Sequence, residues 1–93
     1  MGKYSLVVSE QARKELQAHH RSGDKKLIKK IEVIFQELAE TPFSGTGKPE
    51  ALKFHLTGYW SRRLNKRDRI IYRVIEDSVQ VLIVSAVGHY SDK

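Results

Sequence analysis

The sequence predicts an α+β fold: two N-terminal helices packed on one face of a small, twisted, mainly antiparallel sheet. Three observations predict it. A helical period runs from Lys25 to Glu40 and stops at a proline. Three β-branched and aromatic runs come after it, separated by short polar turns. Helices first and strands afterwards is the order of α+β domains rather than of alternating α/β ones.

Each element has its own justification. Tyr4–Val8 (YSLVV) is long enough for one strand. Ser9 is placed to cap a helix from Glu10 to about His20, with Glu10 in the first turn favouring the helix dipole. Its apolar stripe, Ala12, Leu16 and Ala18, is weak. Ser22-Gly23-Asp24 is a turn, and Asp24 caps the next helix. Over Lys25 to Glu40, the residues Leu27, Ile28, Ile31, Ile34, Phe35 and Leu38 repeat at i, i+3, i+4 and i+7. Lys26, Lys29, Lys30, Glu37 and Glu40 take the opposite face. Pro42 ends the helix, because Thr41 before it is pushed away from helical ψ. Pro42 to Ala51 reads as an ordered loop, since periodic structure resumes at once. Strands are expected over Tyr59–Leu64, Arg69–Ile75 and Val79–Val87, with Leu52–Leu56 as a further short strand before them. Asn65–Asp68 and Glu76–Ser78 are polar enough to be the turns.

The chain has 93 residues, so residues 1–93 are read as one domain. It has no cysteine, which excludes disulfides and thiolate metal sites and fits a reducing, cytoplasmic location. No apolar run approaches the roughly 20 residues that span a bilayer, and no signal-peptide pattern opens the chain, so no membrane partner is expected. The charge is more telling. Residues 44–73 hold eight Lys and Arg against Glu50 and Asp68, which gives +6, the net charge of the whole chain. Residues 1–43 contribute +2 and residues 74–93 contribute −2, so the flanks cancel. A cationic excess confined to one segment, with aromatics inside it, suits a polyanion such as nucleic acid.

That segment carries motifs. TPF-x-G-x-GKPE-x-LK covers Thr41–Lys53, L-x-G-x-WSRR covers Leu56–Arg63, R-x-x-Y covers Arg69–Tyr72, and the pair His89-Tyr90 comes three residues before the end. At these spacings the sequence resembles the YoeB/Txe branch of the RelE-like bacterial toxins, densely from Lys25 to Tyr90. The resemblance implies a RelE-like, microbial-RNase-like fold. It implies a toxin of a type II toxin–antitoxin pair, a ribosome-dependent endoribonuclease that cuts mRNA at the ribosomal A site and so inhibits translation. The implied partners are a YefM/Axe-like antitoxin, the 30S decoding site with its mRNA, and operator DNA only together with antitoxin; a homodimer is left open.

Metal-free RNA cleavage needs a base for the 2′-hydroxyl, an acid for the leaving 5′-oxygen, and cations for the phosphorane between them. Glu50 is the one acid in the glycine- and proline-rich loop, and Lys48 and Lys53 flank it, favouring its ionised form. From spacing alone it reads first as a surface glutamate in a loop, salt-bridged to Lys53; the resemblance makes it the general base. His89, after Gly88, is the candidate acid, an imidazole whose proton a nearby phosphate would stabilise. Tyr90 either stacks on a base, bonds a phosphate or packs at an edge. Arg62 and Arg63 must point opposite ways on a strand. By family position Arg63 serves the active face, whereas Arg62 is expected to meet solvent or ribosomal RNA. Arg69 completes the implied catalytic set, and Lys53, Arg63 and Lys48 would clamp phosphate. Trp60 is expected in the core or an interface. His19, His20 and His55 have no metal-ligand spacing, so neither metal nor other cofactor is expected. The competing reading is a non-catalytic module of the same fold, either similar to gyrase inhibitors or binding an operator with its antitoxin.

Overall fold

The computed structural model describes residues 4–66, 68–75 and 78–83, the last of these as backbone. The elements run β1 (Ser5–Val8), α1 (Glu10–Arg21), α2 (Lys25–Leu38), β2 (Glu50–Ala51), a short 3-10 helix (Phe54–Leu56), β3 (Tyr59–Arg63), β4 (Arg69–Ile75) and β5 (Ser78–Ile83). They form one five-stranded sheet in the order β1-β5-β4-β3-β2. Strands β2 to β5 pair antiparallel, and β1 adds parallel to β5 at one edge.

The helix caps are those the sequence offers. Ser9 Oγ accepts the Ala12 amide at 3.0 Å, and Asp24 Oδ1 accepts the Leu27 amide at 3.1 Å. Helix α2 stops two residues earlier than its period suggests. The Thr41 amide turns back to the Glu37 carbonyl at 2.6 Å, so Ala39 and Glu40 form the turn into Pro42. Ala12, Leu27, Ile34 and Leu38 from the helices pack with Leu64, Ile70 and Tyr72 from the sheet, and Leu16, Ile31, Phe35, Trp60 and Val74 close around them. Strand alternation then sorts the sheet. Trp60, Arg62, Ile70, Tyr72 and Val74 face the helices. Tyr59, Ser61, Arg63, Arg69, Ile71 and Arg73 lie on the far face.

One expected strand is absent. Leu52–Leu56 does not continue the sheet: the Leu52 amide donates to the Tyr59 carbonyl at 2.9 Å, which leaves residues 53–58 to reverse the chain. Phe54 and Gly58 take positive φ (58° and 95°), and the Thr57 amide and hydroxyl both bond the Phe54 carbonyl. A turn, not a strand, is what those torsions build. The Asn65–Asp68 turn is as expected, with Asn65 Oδ1 accepting the Asp68 amide at 2.7 Å. Arg67, the Glu76-Asp77 turn residues and the expected continuation of β5 over 84–87 lie outside the described residues.

Candidate active site

The site begins with a correction. Arg62, expected to meet solvent or RNA, has no exposed surface (0%). Alternation along β3 turns it toward the helices, where a cage of acceptors waits. Its Nη1 donates to Glu37 Oε1 at 2.6 Å and to the Thr46 carbonyl at 3.4 Å. Its Nη2 donates to the carbonyls of Thr41 (2.9 Å) and Ser44 (2.8 Å), and its Nε to the Tyr72 hydroxyl at 3.4 Å. A buried guanidinium is tolerable only when its donors are met. Here the loop supplies carbonyls that would otherwise face water, so one side chain ties residues 41–46 to the sheet.

Glu37 is reassigned with it. The sequence places it on the lysine face of α2, yet its carboxylate also accepts the Thr46 amide at 2.7 Å and the Thr46 hydroxyl at 2.8 Å. Burial alone would raise its pKa; the Thr46 hydrogen bonds and then Arg62 outweigh it, and the net displacement is downward from 4.5. Burial pushes the Tyr72 hydroxyl above its ordinary 10.0, against the lowering effect of Arg62, so it stays a donor, to the Pro42 carbonyl at 2.5 Å. Trp60, on the same face, is partly buried as expected, its ring 4.9 Å from that of Phe43. Sequence reasoning missed the cage. The signal was Arg62 alternating with Trp60 and Leu64, both apolar.

The anchored loop then reaches the opposite face. The Arg63 amide donates to the Gly47 carbonyl at 2.8 Å. A Cβ on Gly47 would stand 2.8 Å from the Arg63 carbonyl oxygen, and its φ of +86° favours glycine in any case. Three residues later Glu50 pairs with Ser61, and on the next row of that face Arg63 pairs with Arg69. Glu50, Arg63 and Arg69 therefore share one face, in adjacent rows about 6.6 Å apart along the strands. Glu50 and Arg63 are exposed and Arg69 is half-buried. Lys48 is exposed, with a φ of 52°. Lys53 is exposed too, but it lies past the Tyr59 end of β2, away from the Arg63–Arg69 row. His89 and Tyr90 lie outside the described residues. A proton acceptor beside two guanidiniums can take a proton from a hydroxyl next to a phosphate and stabilise the charge that results. Among the described residues, no three His, Asp or Glu side chains converge as metal ligands.

Several known proteins are similar to this chain in sequence and fold. The family described as YoeB-like toxin of bacterial type II toxin-antitoxin system matches residues 9–90. A Toxin YoeB from Synechocystis is 44% identical over 70 residues, which is 75% of this chain and 79% of that protein. The YoeB/ParE toxin from Agrobacterium tumefaciens superposes with a TM-score of 0.81 at 33% identity, over 92% of this chain and 99% of its own. The YoeB-YefM complex from Staphylococcus aureus contains a chain that superposes at 0.76 with 32% identity, over 94% of this chain and 98% of its own.

Proposed function

This chain belongs to the YoeB-like toxins of bacterial type II toxin–antitoxin systems, and on that footing we propose that it is an endoribonuclease cutting mRNA in the ribosomal decoding site. The observation that carries the reading is the placement of exposed Glu50 one row from the Arg63–Arg69 pair on the sheet face away from the helices. In the proposed reaction Glu50 takes the proton of the 2′-hydroxyl. The 2′-oxygen forms a bond to phosphorus, and Arg63 and Arg69 hold the phosphorane oxygens. The bond from phosphorus to the 5′-oxygen then breaks, and His89 gives that oxygen its proton. The products are a 2′,3′-cyclic phosphate and a free 5′-hydroxyl. The reaction uses no metal. Lys48 and Lys53 attract the RNA backbone, and Tyr90 bonds or stacks on the substrate. Exposure of Glu50 makes substrate positioning by the ribosome part of the mechanism, because proximity rather than basicity supplies most of the acceleration.

The toxin family and the Staphylococcus aureus YoeB-YefM complex support an antitoxin partner, and charge complementarity would direct it to the cationic face. Such a partner would also be what brings the chain to operator DNA.

The test is cleavage of an mRNA held in a programmed ribosome with an empty decoding site. Wild type is expected to cut there and leave a cyclic phosphate. Glu50→Ala and His89→Ala are each expected to lose at least about a hundredfold in rate. Stable ribosome binding without any cut would leave a translation-blocking binder instead.

A further inference from the structure

Beyond the Glu50 row, on the side away from Arg63 and Arg69, the same sheet face carries a second cationic row. Tyr59 pairs with Arg73. The Arg73 guanidinium carbon stands 5.7 Å from the centre of the Tyr59 ring. Both residues are half-buried. Among the described residues Arg73 has no carboxylate and no hydrogen-bond acceptor; its inner Nε is buried without one. Among those residues the Tyr59 ring is what holds it, by its negative face. This contrasts with Arg62, whose every nitrogen is bonded within the fold. A guanidinium backed by a ring, its fork unbonded among the described residues, has the build of an anion receptor.

The charges across this face alternate: arginines at Arg63 and Arg69, a carboxylate at Glu50, and an arginine again at Arg73. An RNA strand presents the complementary series of phosphate, 2′-hydroxyl and phosphate. An acidic peptide would meet Glu50 with a like charge. Arg73 stands two rows, about 13 Å, from Arg63 and Arg69 but one row, about 6.6 Å, from Glu50. In the proposed reaction Glu50 meets the 2′-hydroxyl beside the scissile phosphate, and that single step is comparable with the span of one extended nucleotide. We propose that Arg73, oriented by Tyr59, is a second phosphate subsite, binding the RNA phosphate next to the one that is cut. The proposal rests on the endoribonuclease reading above and adds to it the path of the substrate strand across the sheet.

A backbone-neutralisation experiment tests it. Binding is measured to ribosomes programmed with an mRNA made uncleavable by a 2′-deoxy nucleotide at the scissile position. That mRNA carries a single neutral methylphosphonate at either linkage flanking the cut. For the wild type, one of the two substitutions is expected to weaken binding by about tenfold or more, the range for a hydrogen bond to a charged group. For Arg73→Ala the same substitution is expected to have no further effect, and Arg73→Lys should restore part of it. Equal weakening of wild type and Arg73→Ala at both linkages would overturn the subsite. So would methylphosphonate effects unchanged by Arg73→Ala while that variant loses affinity for a polyglutamate peptide, which would give the row to an acidic protein. Cleavage of unmodified mRNA by the wild type is read alongside. Its absence would count against the endoribonuclease reading, while the binding comparison would still decide the subsite.

Discussion

Arg62 and Arg63 are neighbours in the chain and have the same chemistry, yet the two faces of β3 use them for opposite ends. Arg62 is wholly buried and makes five hydrogen bonds, to Glu37, Thr41, Ser44, Thr46 and Tyr72. Arg63 is exposed, on the face it shares with Glu50 and Arg69. One cation is spent on holding a loop; the other is exposed, and is the one proposed to meet a phosphate. The contrast shows that a count of charges overstates a binding surface. Of the cations in residues 44–73, Arg62 is already neutralised by a carboxylate at 2.6 Å. It also shows how the two faces are linked, because the anchor on one side ties down the loop that leads to Glu50 on the other.

The sharpest way to break the comparison is to remove each arginine in turn. Arg62→Ala strands Glu37 and three loop carbonyls and opens a cavity. It is expected to cost about 3–5 kcal/mol, the range for breaking a buried ion pair, as read from urea unfolding. For a chain of this size that is a large share of the total stability, so heat should also unfold the variant well below the wild type. Arg63→Ala is expected to leave the unfolding midpoint where it was and to slow mRNA cleavage on the ribosome by about a hundredfold or more. If Arg63→Ala unfolded as early as Arg62→Ala, the division between the two faces would be wrong.

How much of this was legible follows from where the partners lie. The α2 stripe, both N-caps and the span of β4 depend on residues within a few positions of each other, and the sequence displays them directly. Alternation also separated Arg62 from Arg63. It did not assign their destinations, because the acceptors for Arg62 come from 10 to 25 residues away, and three of them are backbone carbonyls that no residue type reveals. Glu37 had the same defect in reverse: its helical position pointed to the lysine face until the loop folded over it. Leu52–Leu56 looked like a strand by composition, but the torsions of a reversal at Phe54 and Gly58 took precedence. Glu50, Arg63 and Arg69 were named from motifs, and their common face needed the register of β2, β3 and β4.

A smaller effect, on pH, sharpens the same contrast. Because folding lowers the Glu37 pKa below 4.5, the folded state gains from its ionised form. That contribution is fully present above about pH 4.5. It is lost as the pH falls through the folded value, where Glu37 takes up a proton and Arg62 is left without a counter-charge. Unfolding followed from pH 7 down to pH 3 should therefore show a fall in stability that Glu37→Gln makes shallower, at the cost of a lower value at pH 7. An equal acid slope in both proteins would place the responsible carboxylate elsewhere.

The smallest expected effect falls on the seam between the two faces. Tyr72 is buried, and its hydroxyl both donates to the Pro42 carbonyl and accepts from Arg62 Nε at 3.4 Å. Tyr72→Phe keeps the ring in the core and removes only those two bonds. The bond to Arg62 is long and contributes little; the bond to Pro42 is short and lies in a dry environment, where an unmet carbonyl is costly. The expected loss is about 1–2 kcal/mol of stability. Because Pro42 opens the loop that ends at Glu50, a second readout separates a local role from a transmitted one. If the Arg62 cage alone fixes the loop, Tyr72→Phe at a temperature where it is fully folded should cut mRNA at the wild-type rate. If it cuts more slowly while remaining folded, the loop is set by both contacts, and the tyrosine of the R-x-x-Y motif positions the base from the opposite side of the sheet.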